Sequence, residues 1–324
     1  MSRSLLLALL AALTLAAAIA SLLFGPVDLS VGRLLAAASG YGDSIATTIL
    51  FELRLPRTVL ALVVGAILGL AGAALQGYLR NPLAEPSVLG TSNAAALGGV
   101  AALYFGFAQI HPAALPLLAI GGALMSLAVL FALAGRSESP LTLILAGLAV
   151  GTLAVAGTSL ALNLSPNPFA AMEIMTWLLG SLENRSFEHV WIALPCVAIG
   201  AAMLLWNGRA LDALTLGEDA AQALGVDIRR LRLRLLVGTA IGVGGAVAVA
   251  GAIGFVGLIV PHLMRSLTDR SPSATLLPSA IGGAALLVLA DIGVRIIPTT
   301  NELKLGVVTA FLGVPVFLVH LMRE

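Results

Sequence analysis

The sequence predicts an all-α integral membrane protein of about ten transmembrane helices with an internal inverted repeat. Three observations carry this. Hydrophobic residues make up 59% of the 324 and charged residues only 10%, with a mean hydropathy of +1.05. Soluble domains carry about 25% charged residues, so this chain cannot cover itself with polar surface in water. Apolar runs of spanning length recur from one end to the other. Leu70-Ala-Gly-Ala-Ala-Leu also echoes Val249-Ala-Gly-Ala-Ile-Gly, each after an Arg and a Gly-rich span (Arg57, Arg234). These two spans are expected to run in opposite directions, the pattern of an inverted repeat.

The first span is placed at about 5–24. Its basic start and Ala-Ile-Ala site also suit a signal peptide, but Leu5 to Phe24 is apolar for the full length that crosses a bilayer. Further runs fall near 58–79, 88–108, 113–134, 141–163, 190–206, 235–250, 252–267, 276–297 and 305–322. Residues 235–267 read equally as one long helix or as two, because Gly251 and Gly254 sit inside continuous apolar sequence. One membrane domain over 1–324 is expected. Gly65/Gly69/Gly72 and Gly238/Gly242/Gly245 place small residues on one helix face, where backbones can approach closely.

Charge sets the orientation. Ten spans with the N-terminus inside put Arg3, Arg80, Arg136, Arg209, Arg229, Arg230, Arg232, Arg234, Arg265, Arg270 and Arg323 on the inner side, eleven in all. Six remain outside: Arg33, Arg54, Arg57, Arg185, Arg295 and Lys304. The excess places both termini in the cytoplasm. Arg54, Arg57 and Arg295 flank spans on the outer side and read as a basic patch. Residues 207–234 form a polar island with nine of the 33 charged side chains, a loop that must face water on the inner side.

Several chemistries have no residues to run them. A phosphate-binding loop needs Gly-Lys-Ser/Thr after a Gly-rich turn, and the only lysine is Lys304 in Asn-Glu-Leu-Lys-Leu-Gly. The four His are scattered and the lone Cys196 excludes an intrachain disulfide, so no metal site or cofactor is expected. A net charge of +1 gives no nucleic-acid footprint. Asp291 is the main intramembrane acid, four residues before Arg295, and a helical ion pair accounts for it. With neither an ATP site nor an ion relay, energy for active transport would have to enter through a partner protein.

Three motifs occur in order. Arg54-Leu-Pro-Arg57 precedes the second span, and Gln76-Gly-Tyr-Leu-Arg-Asn-Pro-Leu-Ala-Glu-Pro86 follows it. Gly217-Glu-Asp-Ala-Ala-Gln-Ala-Leu-Gly225 lies in the island. Gly254-Phe-Val-Gly-Leu-Ile-Val-Pro-His-Leu-Met-Arg265, Ala290-Asp-Ile-Gly-Val-Arg295 and Glu302-Leu-Lys-Leu-Gly-Val-Val-Thr-Ala close the set. From about residue 50 to the C-terminus the chain resembles the permease subunits of binding-protein-dependent ABC importers for iron chelates, haem and cobalamin.

The resemblance implies a bacterial inner-membrane homodimer with one pathway between its subunits. Two ATP-binding cassette subunits would lie below, and a periplasmic or surface substrate-binding protein would deliver a ferric siderophore, haem or cobalamin. Hydrolysis would belong to the partners, so the chain itself is not expected to be an enzyme. Arg54, Arg57 and Arg295 match arginines that receive acidic residues of the binding protein; lipid-headgroup anchoring is the plainer alternative. Asn81, Pro82 and Leu83 match the cytoplasmic gate region, as does Thr142; a plain helix stop is the alternative there. Glu218, Asp219, Ala220, Ala221 and Gly225 match the coupling helices that dock into the ATPase. The run Arg229–Arg234 is assigned to lipid anchoring at the membrane surface. Lys304 stands where the family has Pro, adding positive charge near the entrance. The competing class is an ion-driven secondary transporter or channel, which the scarcity of intramembrane acids opposes.

Overall fold

The computed structural model describes residues 2–27, 29–134, 140–297, 299 and 302–321. Arg136 and Arg323, counted above with the inner charges, lie outside the described residues. Helix α1 (Arg3–Leu23) is followed by the short α2 (Val31–Ala38) and α3 (Ser44–Thr48). A π-helical turn (Ile49–Arg54) then runs directly into α4 (Leu55–Leu79). Next come α5 (Thr91–Tyr104), the single turn α6 (Phe107–Ile110), α7 (Ala114–Ala134), α8 (Pro140–Asn163), α9 (Pro168–Leu178) and α10 (Phe187–Leu205). The short α11 (Gly208–Leu214) and α12 (Glu218–Ala223) lead into α13 (Ile228–Ala250), α14 (Val256–Leu267), α15 (Pro272–Ile296) and α16 (Leu305–Leu321).

Among the described residues, seven helical stretches are long and apolar enough to cross a membrane: α1, the run Ser44–Leu79, α7, α8, α10, α13 and α15. The shorter α5, α14 and α16 occupy the remaining expected spans. Local sequence starts these helices. Ser2, Ser30, Asp43, Asn167, Asp227 and Ser271 are N-caps whose side chains accept from a backbone N–H of the first turn. Helix α9 and the pair α2 and α3 fell between predicted spans, because they are too short to register as apolar runs.

Burial separates centre from rim. The most apolar windows of α4 and α13 are each 78% buried and that of α15 is 61%, against 22% for α1 and 33% for α8. Small residues make the central contacts. A Cβ on Gly65 would lie 2.3 Å from the Gly283 carbonyl oxygen, and one on Gly69 would lie 2.1 Å from that of Ser279. Backbones of α4 and α15 therefore touch, where lipid supplies no hydrophobic force to hold helices together. The second predicted stripe does the same: Gly238, Gly242 and Gly245 on α13 face Met203, Gly200 and Cys196 on α10.

The start of α4 and the end of α13 lie at the same end of the bundle, where Arg57 pairs with Glu302, Gly251 packs on Gly180 and Gly306 N donates to the Gly180 carbonyl at 3.3 Å, so α4 and α13 run in opposite directions as the sequence echo requires. The first copy of the echo lies inside α4, whereas only Val249 and Ala250 of the second lie in α13 and residues 251–254 form the break after it. The open question at 235–267 resolves as two helices. Gly251 (φ +72°) ends α13, and Phe255 (φ +67°) precedes α14. The break is buried in protein: Ser181 N donates to the Ala250 carbonyl at 2.8 Å, and a Cβ on Gly251 would meet the Trp177 carbonyl oxygen at 2.3 Å. Non-helical backbone at membrane depth is tolerated under that condition.

The predicted island loop is itself mostly helical. It consists of α11, α12 and the first two turns of α13. Arg229, Arg230 and Arg234 are exposed, but Arg232 is only 6% exposed and lies over the Phe131 ring at 5.9 Å. The anchor run is thus three lipid- or water-facing arginines and one that packs inward, because a helix turns every fourth residue to the same face.

The backbone seam makes a direct prediction. Gly69→Ala should lower stability by about 1–3 kcal/mol through overpacking. Gly121→Ala, where nothing lies within 4 Å of the new Cβ, should not. Thermal unfolding of the two variants in detergent compares them, and equal melting temperatures would contradict the seam.

Candidate functional site

The two ends of the bundle carry the sites predicted from sequence. At one end, Arg54 and Arg295 reach the C-terminus of α1, and Arg57 is joined to Arg295 through Asp291. The last carbonyls of a helix have no partner within it and carry negative partial charge. Arg54 Nη1 donates to the Leu22 and Leu23 carbonyls at 2.7 and 2.8 Å, and Nη2 to that of Val27 at 2.6 Å. Arg295 Nη1 donates to the Ser21 and Phe24 carbonyls at 3.0 and 3.1 Å, and Nη2 to Ser21 Oγ at 2.6 Å. Ser21 Oγ also lies 2.7 Å from Thr58 Oγ1.

Asp291, fully buried on α15, joins two of the arginines. Its carboxylate pairs with Arg57 Nη2 at 2.8 Å and with Arg295 Nη2 at 3.1 Å. Glu302 pairs with the same Arg57. The predicted i,i+4 ion pair is therefore present, but as part of a larger balance: Arg57 and Arg295 against Asp291 and Glu302. Arg295 and Glu302 also line a cavity of about 620 Å³ beside Phe24 and Ile297.

This corrects one expectation. Arg54, Arg57 and Arg295 do not form an exposed basic patch; they are 4%, 8% and 8% exposed. Buried cations must be paired or hydrogen-bonded, and these bind helix-end carbonyls and carboxylates of their own chain. Residue spacing located the cluster but could not show that α1 ends underneath it. Glu302 stood in a quoted motif without a role, and Ser21 gave no signal at all. Lys304 is likewise neutralised, with Nζ 2.7 Å from Glu183.

The opposite end holds the other predicted residues. Arg80 closes α4 in a left-handed conformation (φ 49°), and the Asn81 side chain accepts from Leu83 N at 2.9 Å. Asn81, Pro82 and Leu83 thus form a side-chain-stabilised turn. Thr142 is half-buried in the first turn of α8, and α8 packs against the Pro86–Leu89 turn that follows Leu83. Gln76, 1% exposed, accepts from Arg265 at 3.1 Å and donates to the Leu258 carbonyl at 3.2 Å, tying α4 to α14.

Helix α12 covers Glu218, Asp219, Ala220 and Ala221. Gly225 (φ +86°) follows it, and Val226 N donates to the Ala221 carbonyl at 3.0 Å, the six-to-one bond of a glycine-closed helix end. Ala221 is fully buried, while Leu216 and Leu224 are 68% and 66% exposed. The result is a compact knob with acids in its first turn and apolar side chains presented outward.

Among the described residues, seven helices of spanning length packed through small residues define a multi-pass helical membrane protein. The chain belongs to the FecCD transport family, whose profile matches residues 13–323. It is 41% identical over 290 residues to an uncharacterized ABC transporter permease protein, YvrB, of Bacillus subtilis, covering 88% of this chain and 82% of that one. It is 38% identical over 280 residues to the vitamin B12 import system permease protein BtuC of Salmonella schwarzengrund, covering 85% and 83%. A solved structure described as an inward-facing conformation of a metal-chelate type ABC transporter superposes with a TM-score of 0.89 at 32% identity, over 98% of this chain and 99% of that one.

The arginine cluster yields a prediction of its own. Asp291→Asn removes the carboxylate shared by two buried guanidiniums and should cost about 3 kcal/mol or more, the usual result of breaking one side of a buried pair. Thermal unfolding in detergent measures it; an unchanged midpoint would show that Asp291 is not holding the cluster.

Proposed function

We propose that this permease imports a metal chelate (a ferric siderophore, haem or cobalamin) into the cytoplasm, energised by two partner ATP-binding cassette subunits. The observation that carries the reading is the α11–α12 knob, in a chain of this family with no nucleotide-binding loop of its own. Glu218 to Gly225 presents a rigid, glycine-closed surface with exposed Leu216 and Leu224, suited to seating in a partner's groove. Force applied there reaches the bundle through buried Leu211, Leu214 and Ala221.

Orientation follows from charge. The knob end carries the arginine excess, so it faces the cytoplasm with both termini, in the inner membrane. The arginine-cluster end then faces the substrate-binding protein. Docking there uses the mouth of the cavity that Arg295 and Glu302 line; Arg54 and Arg57 reach a partner only by releasing bonds within the chain. A second copy of the chain supplies the other wall of the pathway. The outward leucines of α8 (Leu141, Leu145 and Leu148) and Phe311 of α16 support this, being uncovered by the rest of the chain. Asn81, Pro82 and Leu83, with Thr142 at the same end, form the cytoplasmic gate.

Two tests follow. Proteoliposomes holding the permease, its ATPase and a loaded binding protein should accumulate labelled chelate only with ATP; accumulation by the permease alone would overturn the reading. Gly225→Pro forces φ to about −65° where the chain needs a positive value. The variant should insert normally, yet its complex with the ATPase should hydrolyse ATP without uptake, and normal coupled transport would remove the knob from the mechanism.

A further inference from the structure

We propose that the knob end carries a binding site for a phosphate-class anion, built by Arg80, Arg265 and Arg270. These side chains come from the end of α4, the last turn of α14 and the turn before α15, and they line one cavity of about 300 Å³ beside Thr215 and Pro272. Among the described residues, no carboxylate lines it. Among the described residues none of the three forms an ion pair, whereas Arg33, Arg57, Arg230, Arg295 and Lys304 all do. Like charges gathered around one cavity repel, and the gathering is stable when an anion sits among them.

Two further observations show that the cavity is built. Four non-glycine residues of the described chain have positive φ, and Arg80 (49°) and Arg270 (66°) are two of them. Positive φ is uncommon for a residue with a side chain, and here it belongs to two of the side chains that line the cavity, one of them the C-cap of α4. Gln76, also in the lining, is buried and accepts from Arg265 while donating to the Leu258 carbonyl. It fixes the deepest guanidinium before any ligand arrives.

The chemistry selects the ligand. A guanidinium offers paired N–H donors that match phosphate oxygens two at a time. Three such groups suit a group with several charged oxygens better than a single carboxylate. An anionic phospholipid headgroup and free inorganic phosphate share that chemistry. Either would bridge α4, α14 and the start of α15, so its occupancy would tie these helices together at this end. The site does not depend on the direction of transport.

The test uses the full-length protein in uncharged detergent at constant ionic strength. Inorganic phosphate and dioctanoyl phosphatidylglycerol are titrated by calorimetry, with chloride and dioctanoyl phosphatidylcholine as controls. We expect at least one of the two anions to bind saturably. Arg80→Gln with Arg270→Gln should weaken it roughly tenfold or more, the size of one charge-assisted hydrogen bond. Arg209→Gln, at an exposed position of the neighbouring segment, should leave it unchanged. Binding of both anions, of the lipid alone or of phosphate alone supports the site and identifies its source. The proposal is overturned if neither binds above the controls, or if the Arg80/Arg270 variant binds as the parent does. Both of those arginines are exposed, and melting without anion verifies that the variant is folded.

Discussion

The contact on which the rest of the bundle depends is the seam between α4 and α15. Arg57 pairs with Asp291, Gly65 meets Gly283, and Gly69 meets Ser279. Each step along α4 is matched by an equal step back along α15, so one register satisfies an ion pair and two backbone contacts together. A slip of one residue would bury a cation without its carboxylate and drive a Cβ or carbonyl into the facing chain. Both are costly where lipid offers no competing hydrogen bonds. The seam is therefore fixed by geometry and charge, with hydrophobicity playing little part in its specificity.

The same seam shows what sequence could and could not reveal. Apolar length located the spans, because the bilayer sets one length scale for all of them. Small-residue spacing located the close contacts at Gly65, Gly69, Gly238 and Gly242, because helical periodicity fixes which residues share a face. Position along the chain did not show depth. Arg54, Arg57 and Arg295 flank spans as surface arginines would, yet Arg54 and Arg295 cap α1 from within and Arg57 is paired with Asp291 and Glu302. Arg232 sits in a run of exposed arginines and packs inward. The helix break at Gly251 was ambiguous for a related reason: what stabilises it is Ser181, seventy residues away in the chain. Long-range partners of this kind leave no local periodicity to read.

The knob end is organised differently. There short helices and turns carry many of the polar groups; Leu211, Leu214 and Ala221 anchor α11 and α12, and Gln76 ties α4 to α14. The arginine cluster is held by buried ion pairs and helix-end carbonyls, whereas the knob keeps Leu216 and Leu224 exposed, a division that the proposed coupling to a partner would use.

Helix α4 joins the two ends. Arg57 and Gln76 lie 19 residues apart on it, which at about 1.5 Å per residue is about 28 Å, close to the roughly 30 Å of a hydrocarbon core. One polar anchor thus stands near each face of the membrane: the Asp291 pair at one and the Arg265 link at the other. A rod pinned at both faces and fused along its length to α15 cannot slide or tilt without breaking an anchor. Relative movement meets least resistance at the rim, where α1, α8 and α10 have buried less than a third or about a third of their apolar windows. The centre of the bundle then serves as the frame against which the rim and the knob can shift.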